Sequence, residues 1–180
     1  MLLVVAATER ELAAVAGAEA FVCGIGPVDA AAATARALVE RRPAALLHVG
    51  IAGARRDCGL APGAVALGSE SVYCDTSSPL LASIVQPSAR LLAAARTALP
   101  AAAVVTIGTS ANVGGSTGCD VEAMEGFAVL RAAELAGVEA VEVRAIANEI
   151  EEPDRALWKI DDALAALAEA LPPLVAELSR

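Results

Sequence analysis

The sequence predicts an α/β protein built on a largely parallel sheet, and three observations carry that expectation. Leu2–Ala7 is an unbroken apolar run and Ala44–Ile51 is apolar but for His48, the pattern of strands buried on both faces. Between them lies Val28–Arg41, an alanine-rich stretch long enough for a helix. The chain's 180 residues are 57% hydrophobic and only 2% aromatic. That length suits one compact domain, residues 1–180, and the composition builds its core from Ala, Val, Leu and Ile, which lets helices pack close to a sheet.

Composition also excludes function classes. No apolar run approaches the roughly 20 residues of a membrane-spanning helix. The opening MLLVVAA lacks a basic n-region and an adequate h-region, and Glu9, Arg10 and Glu11 follow at once. It therefore reads as a first strand and not a signal peptide, so a soluble, cytoplasmic protein is expected. A net charge of −9 argues against nucleic acid, whose phosphates need a basic surface, and favours a small-molecule ligand. Cys23, Cys58, Cys74 and Cys119 have no C-x-x-C spacing, and His48 is the single histidine. Neither a zinc site nor a disulfide framework is suggested, and no metal or cofactor is expected.

Along the chain, Thr8 caps a short helix whose third residue is Glu11, a Thr-x-x-Glu capping box. Phe21–Gly24 is a second strand, and Gly24-Ile25-Gly26-Pro27 turns into the long helix. As a dinucleotide loop this Gly-x-Gly is weak, because Ala30 stands where a third glycine belongs. The third strand ends in Gly50-Ile51-Ala52-Gly53, a small-residue bend that lets a ligand approach the backbone. His48, inside that strand among apolar neighbours, reads as a core or interface histidine. Ala64–Tyr73 is a strand, Ser88–Leu99 an amphipathic helix, Ala102–Ile107 a strand, and Gly108–Gly115 a glycine-rich turn. From Met124 the apolar residues Phe127, Ala128, Leu130 and Leu135 recur at helical spacing, with Gly137 as C-cap. Val141–Ile146 follows as a strand. Leu164, Leu167, Leu171, Leu174 and Leu178 mark the buried stripe of a last helix, which Pro172-Pro173 should kink or break.

Two polar residues stand at the ends of the most informative stretch. Glu125 opens a helix, where free N–H groups and the dipole favour negative charge. Asn148 closes the next strand. Taken alone they are a first-turn carboxylate and a turn residue. They could equally converge at the carboxyl edge of a sheet, where open α/β sheets bind ligands.

Met124-Glu125-Gly126-Phe127-Ala128, Arg144-Ala145-Ile146-Ala147-Asn148 and Trp158-Lys159-Ile160 occur in an order and spacing that resembles the nucleosidases of the purine nucleoside phosphorylase/hydrolase fold. Within that fold the chain is most similar to futalosine hydrolases of the alternative menaquinone pathway. Their cousins, the 5′-methylthioadenosine/S-adenosylhomocysteine nucleosidases, carry an Asp where this chain has Asn148. The resemblance implies a three-layer fold around a mixed, partly barrel-like sheet, homo-oligomers, and a purine nucleoside as substrate.

By the same resemblance Glu11 activates the attacking water and Glu125 binds the ribose hydroxyls beside Met124. The main chain at Ile51, Ala52 and Gly53 lines base and ribose. Asn148 hydrogen-bonds the leaving base, and an amide in place of a carboxyl suits hypoxanthine release. Ala111 stands where relatives place a stacking Phe. Base binding then falls to Asn112 and its loop and to Phe127, although the loop also reads as a plain flexible turn. Phosphorylases of the fold carry an arginine where this chain has Pro62, so water is the expected nucleophile. Ala147 replaces a frequent Ser, and the 75–87 segment is shorter than usual. Three readings stay open: futalosine hydrolysis, hydrolysis of another purine nucleoside such as methylthioadenosine or aminofutalosine, and nucleoside binding without catalysis.

Overall fold

The computed structural model describes residues 1–114 and 118–180, so Gly115 of the glycine-rich turn lies outside the described residues. Among the described residues there are eight strands and five α-helices. The first half holds β1 (Leu2–Ala6), α1 (Glu9–Leu12), β2 (Glu19–Val22), α2 (Pro27–Arg41), β3 (Ala45–Ala54), β4 (Val65–Tyr73) and β5 (Ile84–Val85). The second holds α3 (Ala89–Ala98), β6 (Ala103–Thr109), β7 (Val121–Ala123), α4 (Gly126–Leu135), β8 (Glu139–Glu149) and α5 (Ile160–Leu178).

All eight strands form one mixed sheet. It runs β2-β1-β3-β7-β6-β4-β5, and β8 pairs with both β3 and β4. Because β8 bridges those two, β3, β7, β6, β4 and β8 close into a ring, and the expected partly barrel-like sheet is observed. The long, apolar β3 and β8 run parallel at its centre, with Leu47 opposite Val141 and Val49 opposite Val143.

Helices cover the sheet on two sides, giving three layers. One core cluster joins Leu167, Leu171 and Leu174 of α5 and Leu91 of α3 to Val4, Leu47 and Val143. Another joins Ala30 and Leu38 of α2 and Val129 and Leu130 of α4 to Leu3, Val5 and Leu46. Side-chain alternation on β1 and β3 thus feeds both faces, which is why their sequences are apolar, His48 of β3 excepted.

Three expectations need correction. Helix α5 runs through Pro172 and Pro173 without interruption. Both prolines are exposed, so water can satisfy the carbonyls one turn earlier that lose their N–H partners. Leu164 is only half-buried, because it faces a cavity. Two short strands, β5 and β7, were not anticipated: two and three residues carry no readable alternation.

Candidate active site

A cavity of about 300 Å³, at the lower end of the usual range for small-molecule sites, opens where β1, β3, β7 and β8 end. Its wall includes Glu11, Ile51, Ala52, Gly53, Asn112, Met124, Glu125 and Asn148. Those eight candidates are brought together from five separate segments. Ala111 and Phe127 are not on the wall. The Ala111 N–H is held by Asp75 Oδ2 at 2.7 Å. Phe127 stacks on Tyr73 with ring centroids 5.4 Å apart. Neither is placed to stack on a bound base, and the second departs from expectation because α4 turns the Phe127 side chain back toward β4.

Glu11 closes the capping box, as its sequence position demands. Its Oε2 accepts from the Thr8 N–H at 2.9 Å and the Thr8 hydroxyl at 2.8 Å. Its Oε1 turns across the cavity to accept from the Ile51 N–H at 2.9 Å. The capping role and the cavity position are therefore the same geometry: the box fixes one oxygen and presents the other.

Glu125 occupies the N-cap position of α4 but its side chain makes no capping bond. Oε1 instead accepts from the Gly26 N–H at 3.0 Å, across 99 residues of chain. Gly26 sits at φ 91°, a conformation that glycine adopts at no steric cost, and this aims its N–H into the site. Burial raises the Glu125 pKa, against the lowering effects of Arg144 and the Gly26 N–H.

Arg144, present in the sequence motif but given no role there, proves central. It is fully buried. Its Nε donates to Glu142 Oε1 at 2.8 Å, and Glu142 Oε2 in turn accepts from the Ser71 hydroxyl. Burial opposes the Arg144 charge, yet Glu142 and Glu125 outweigh it and raise the pKa. Nη2 lies 2.5 Å from His48 Nε2, while His48 Nδ1 lies 3.0 Å from the Val5 carbonyl. Burial and Arg144 hold the His48 pKa well below its usual value, so the ring is neutral, with Nδ1–H donating to Val5 and Nε2 accepting from Arg144. Nη1 has no hydrogen-bond partner among the described residues and lies 3.8 Å from Glu125 Oε2. A Cβ on Gly50 would collide with that Nη1 and come within 2.7 Å of Glu11 Oε1. Glu11, Arg144 and Glu125 thus converge on the space above a glycine.

Asn148 owes its place to a bulge. Ala52 pairs with Ile146 but Gly53 pairs with Asn148, so Ala147 is the extra residue that re-aims the strand end. The Asn148 amide lies 3.0 Å from where a Gly53 Cβ would stand and donates to the Glu149 carbonyl at 2.9 Å. Trp158 also lines the cavity, its Nε1–H donating to the Glu152 carbonyl at 3.2 Å.

Residues 14–178 match the family described as the phosphorylase superfamily. Futalosine hydrolase of Streptomyces coelicolor is 49% identical over 57 residues, 32% of this chain and 24% of that one. The match thus spans about a quarter of the curated relative. The native structure of futalosine hydrolase of Helicobacter pylori superposes with a TM-score of 0.87 at 16% identity, covering 98% of this chain and 97% of that one. The 5′-methylthioadenosine/S-adenosylhomocysteine nucleosidase of the same organism, with butyl-thio-DADMe-Immucillin-A, gives a TM-score of 0.87 at 16% identity over 98% of each chain. At such identities the two structures establish a shared fold.

Proposed function

This chain belongs to the phosphorylase superfamily, and from that premise we propose that it is a purine nucleosidase that hydrolyses the N-glycosidic bond of futalosine and releases hypoxanthine, a step of the alternative menaquinone pathway. The observation that carries the reading is the convergence of Glu11 Oε1 and the unpartnered Arg144 Nη1 above Gly50, beside Glu125. A water there donates to Glu11 and accepts from Arg144, which orients its lone pair toward the sugar.

The chemistry follows. As the bond from ribose to the purine breaks, positive charge grows on the sugar and the electron pair leaves with the base. The Glu125 carboxylate accepts from the ribose hydroxyls and lies next to the developing cation, preorganised by Gly26. Water adds to the anomeric carbon and its proton passes to Glu11. Asn148 donates from Nδ2 to the departing ring nitrogen, and the base takes its proton from solvent. Ile25, Trp158, Ile160 and Leu164 give the rest of the cavity an apolar wall suited to a bulky 5′ substituent.

Water is favoured over phosphate because the two arginines of the loop after β3 are already paired. Arg56 Nε donates to Glu149 Oε2 at 2.7 Å, and Arg55 Nη1 lies 3.6 Å from Glu151 Oε1. We treat residues 1–180 as one nucleosidase domain, since the ring draws strands from both halves of the chain. Exposed apolar side chains at Val28, Leu80 and Leu135 support a homo-oligomer, which sedimentation would reveal as a mass above 18.0 kDa.

The deciding experiment is chromatography of bases released from futalosine, aminofutalosine, methylthioadenosine and inosine, with and without phosphate. Hypoxanthine from futalosine, independent of phosphate and lost in Glu11→Gln and Glu125→Gln, is the expected result. Adenine release would move the assignment to methylthioadenosine-type substrates, and phosphate dependence would make the chain a phosphorylase. Thermal stabilisation by nucleoside without any release would leave a binding protein.

A further inference from the structure

Glu122 plays no part in the chemistry above, yet it lines the same cavity. It is only 9% exposed, and its Oε2 is buried with no hydrogen-bond partner among the described residues. Buried carboxylate oxygens are almost always supplied with donors, so a bare one on a cavity wall points to a donor on the ligand.

The sheet register says where on the ligand that donor lies. Glu122 pairs with Gly53 on one side and with Gly108 on the other. Gly53 pairs in turn with Asn148. Directly paired residues project to the same face, so Glu122 and Asn148 rise from one floor with Gly53 between them. Their strands are two ladder steps apart, about 9–10 Å. Gly53 raises no side chain between them; the Asn148 amide and Ile150 Cγ1 lie 3.0 and 3.1 Å from where its Cβ would stand. An amide and a carboxylate thus stand on one cavity wall at a separation that suits the two edges of one planar bicyclic base, with Ile150 beside them.

We propose that Glu122 is a specificity-determining residue that accepts the N1–H of a 6-oxopurine while Asn148 holds the opposite, N7 edge. The inference rests on the purine nucleosidase reading and adds the residue that selects the base. A 6-oxopurine carries a hydrogen on N1. Adenine carries a lone pair there, which faces the carboxylate lone pairs and leaves Oε2 still without a donor. Discrimination by a buried polar group left unpaired is steep, in principle up to about 10⁴-fold.

The test is equilibrium binding of the free bases hypoxanthine, 1-methylhypoxanthine and adenine to the wild type, Glu122→Gln and Glu122→Ala, by calorimetry, with thermal melts of each protein. Wild type is expected to bind hypoxanthine on the order of 100-fold more tightly than either other base. Glu122→Gln, whose amide can donate to adenine N1, narrows the hypoxanthine-to-adenine ratio by about tenfold or more through a gain in adenine affinity. Glu122→Ala loses hypoxanthine affinity and with it the preference. An unchanged ratio in Glu122→Gln, or equal binding of hypoxanthine and 1-methylhypoxanthine to the wild type, would overturn the proposal while leaving nucleosidase activity intact. The wild-type comparison stands even if a variant fails to fold. A wild type that binds none of the three bases and releases none from any nucleoside would instead remove the nucleosidase reading, and this proposal with it.

Discussion

At the residue scale the site runs on carboxylates in different surroundings. Glu11 is held by three donors, two from Thr8 and one from Ile51. Glu11→Gln keeps only one acceptor oxygen, so its amide NH2 is left facing either the Thr8 or the Ile51 N–H, and it cannot take a proton from water. We expect a loss of about 10²–10⁴-fold in kcat together with a Tm lowered by that one lost hydrogen bond, measured by base release and calorimetry on the same sample. Glu125 is pushed above its ordinary 4.5 by burial. In the proposed reaction it binds ribose as the anion, so the acid limb of kcat/KM should fall above pH 4.5. The stability sign is opposite. A raised folded pKa gives stability that is complete below pH 4.5 and is lost as pH rises through the folded value. Glu125→Gln should therefore melt above the wild type at pH 7, with the gap closing as the pH approaches 4.5, and should still be inactive. A Gln variant that melts lower at pH 7 would mean that the lost attraction to Arg144 outweighs the burial cost.

At the element scale, glycines on β3 and α4 make room for charged groups of β8. Gly50 leaves space for Arg144 Nη1 and Glu11 Oε1, and Gly126 packs against the Glu142 carboxylate. Gly50→Ala should destabilise by about 1–3 kcal/mol through overpacking. Its activity should fall by more than its stability, since the added methyl displaces Arg144 Nη1 and Glu11 Oε1, the two groups assigned to hold the water. Equal kcat in Gly50→Ala and wild type would remove water from that position. Strand β8 organises the site: Glu142 and Arg144 share one side of it at i, i+2 spacing, and the Ala147 bulge turns Asn148 to the side that Gly53 faces. That arrangement could be half read from the sequence. The motif from Arg144 to Asn148 was visible, but the bulge depends on pairing with β3, and the neutrality of His48 depends on an arginine 96 residues away.

At the scale of the whole molecule, the ring closes only because β8 pairs with β3 on one side and β4 on the other, and α5 is the helix that seals this junction. Leu171, 1% exposed at that seal, should cost about 2–5 kcal/mol when cut to Ala, read from denaturant midpoints at constant m. A smaller loss would mean that α5 collapses into the gap. His48 adds a pH term. Its folded pKa is depressed, so its contribution is complete above 6.5 and declines as pH falls below that value, where the unfolded chain takes up a proton that the native core refuses. Stability measured between pH 7 and pH 5 should fall by up to about 1.4 kcal/mol per pH unit from this residue alone. His48→Gln should flatten that slope.

By itself the sequence determined the α/β class, the buried strands and helices with strong periodicity, and the capping box at Thr8 and Glu11. These depend on near neighbours: apolar runs, helical spacing and a three-residue cap are written locally. Met124, Glu125 and Asn148 stood out through the motif's resemblance to a family, since by themselves Glu125 and Asn148 read only as a first-turn carboxylate and a turn residue. Tertiary structure alone decided that Glu125 answers Gly26 instead of its own helix, and that one Arg144 nitrogen meets Glu125 as an ion pair without a hydrogen bond among the described residues. It also decided that Phe127 belongs to Tyr73, and that α5 survives two prolines because both face water. Strand β7 is the sharpest case, for three residues have no period to read. Only its pairing with Gly53 and Gly108 turns Glu122 into the cavity, because a side chain's face is set by the strand beside it and not by its neighbours in the chain.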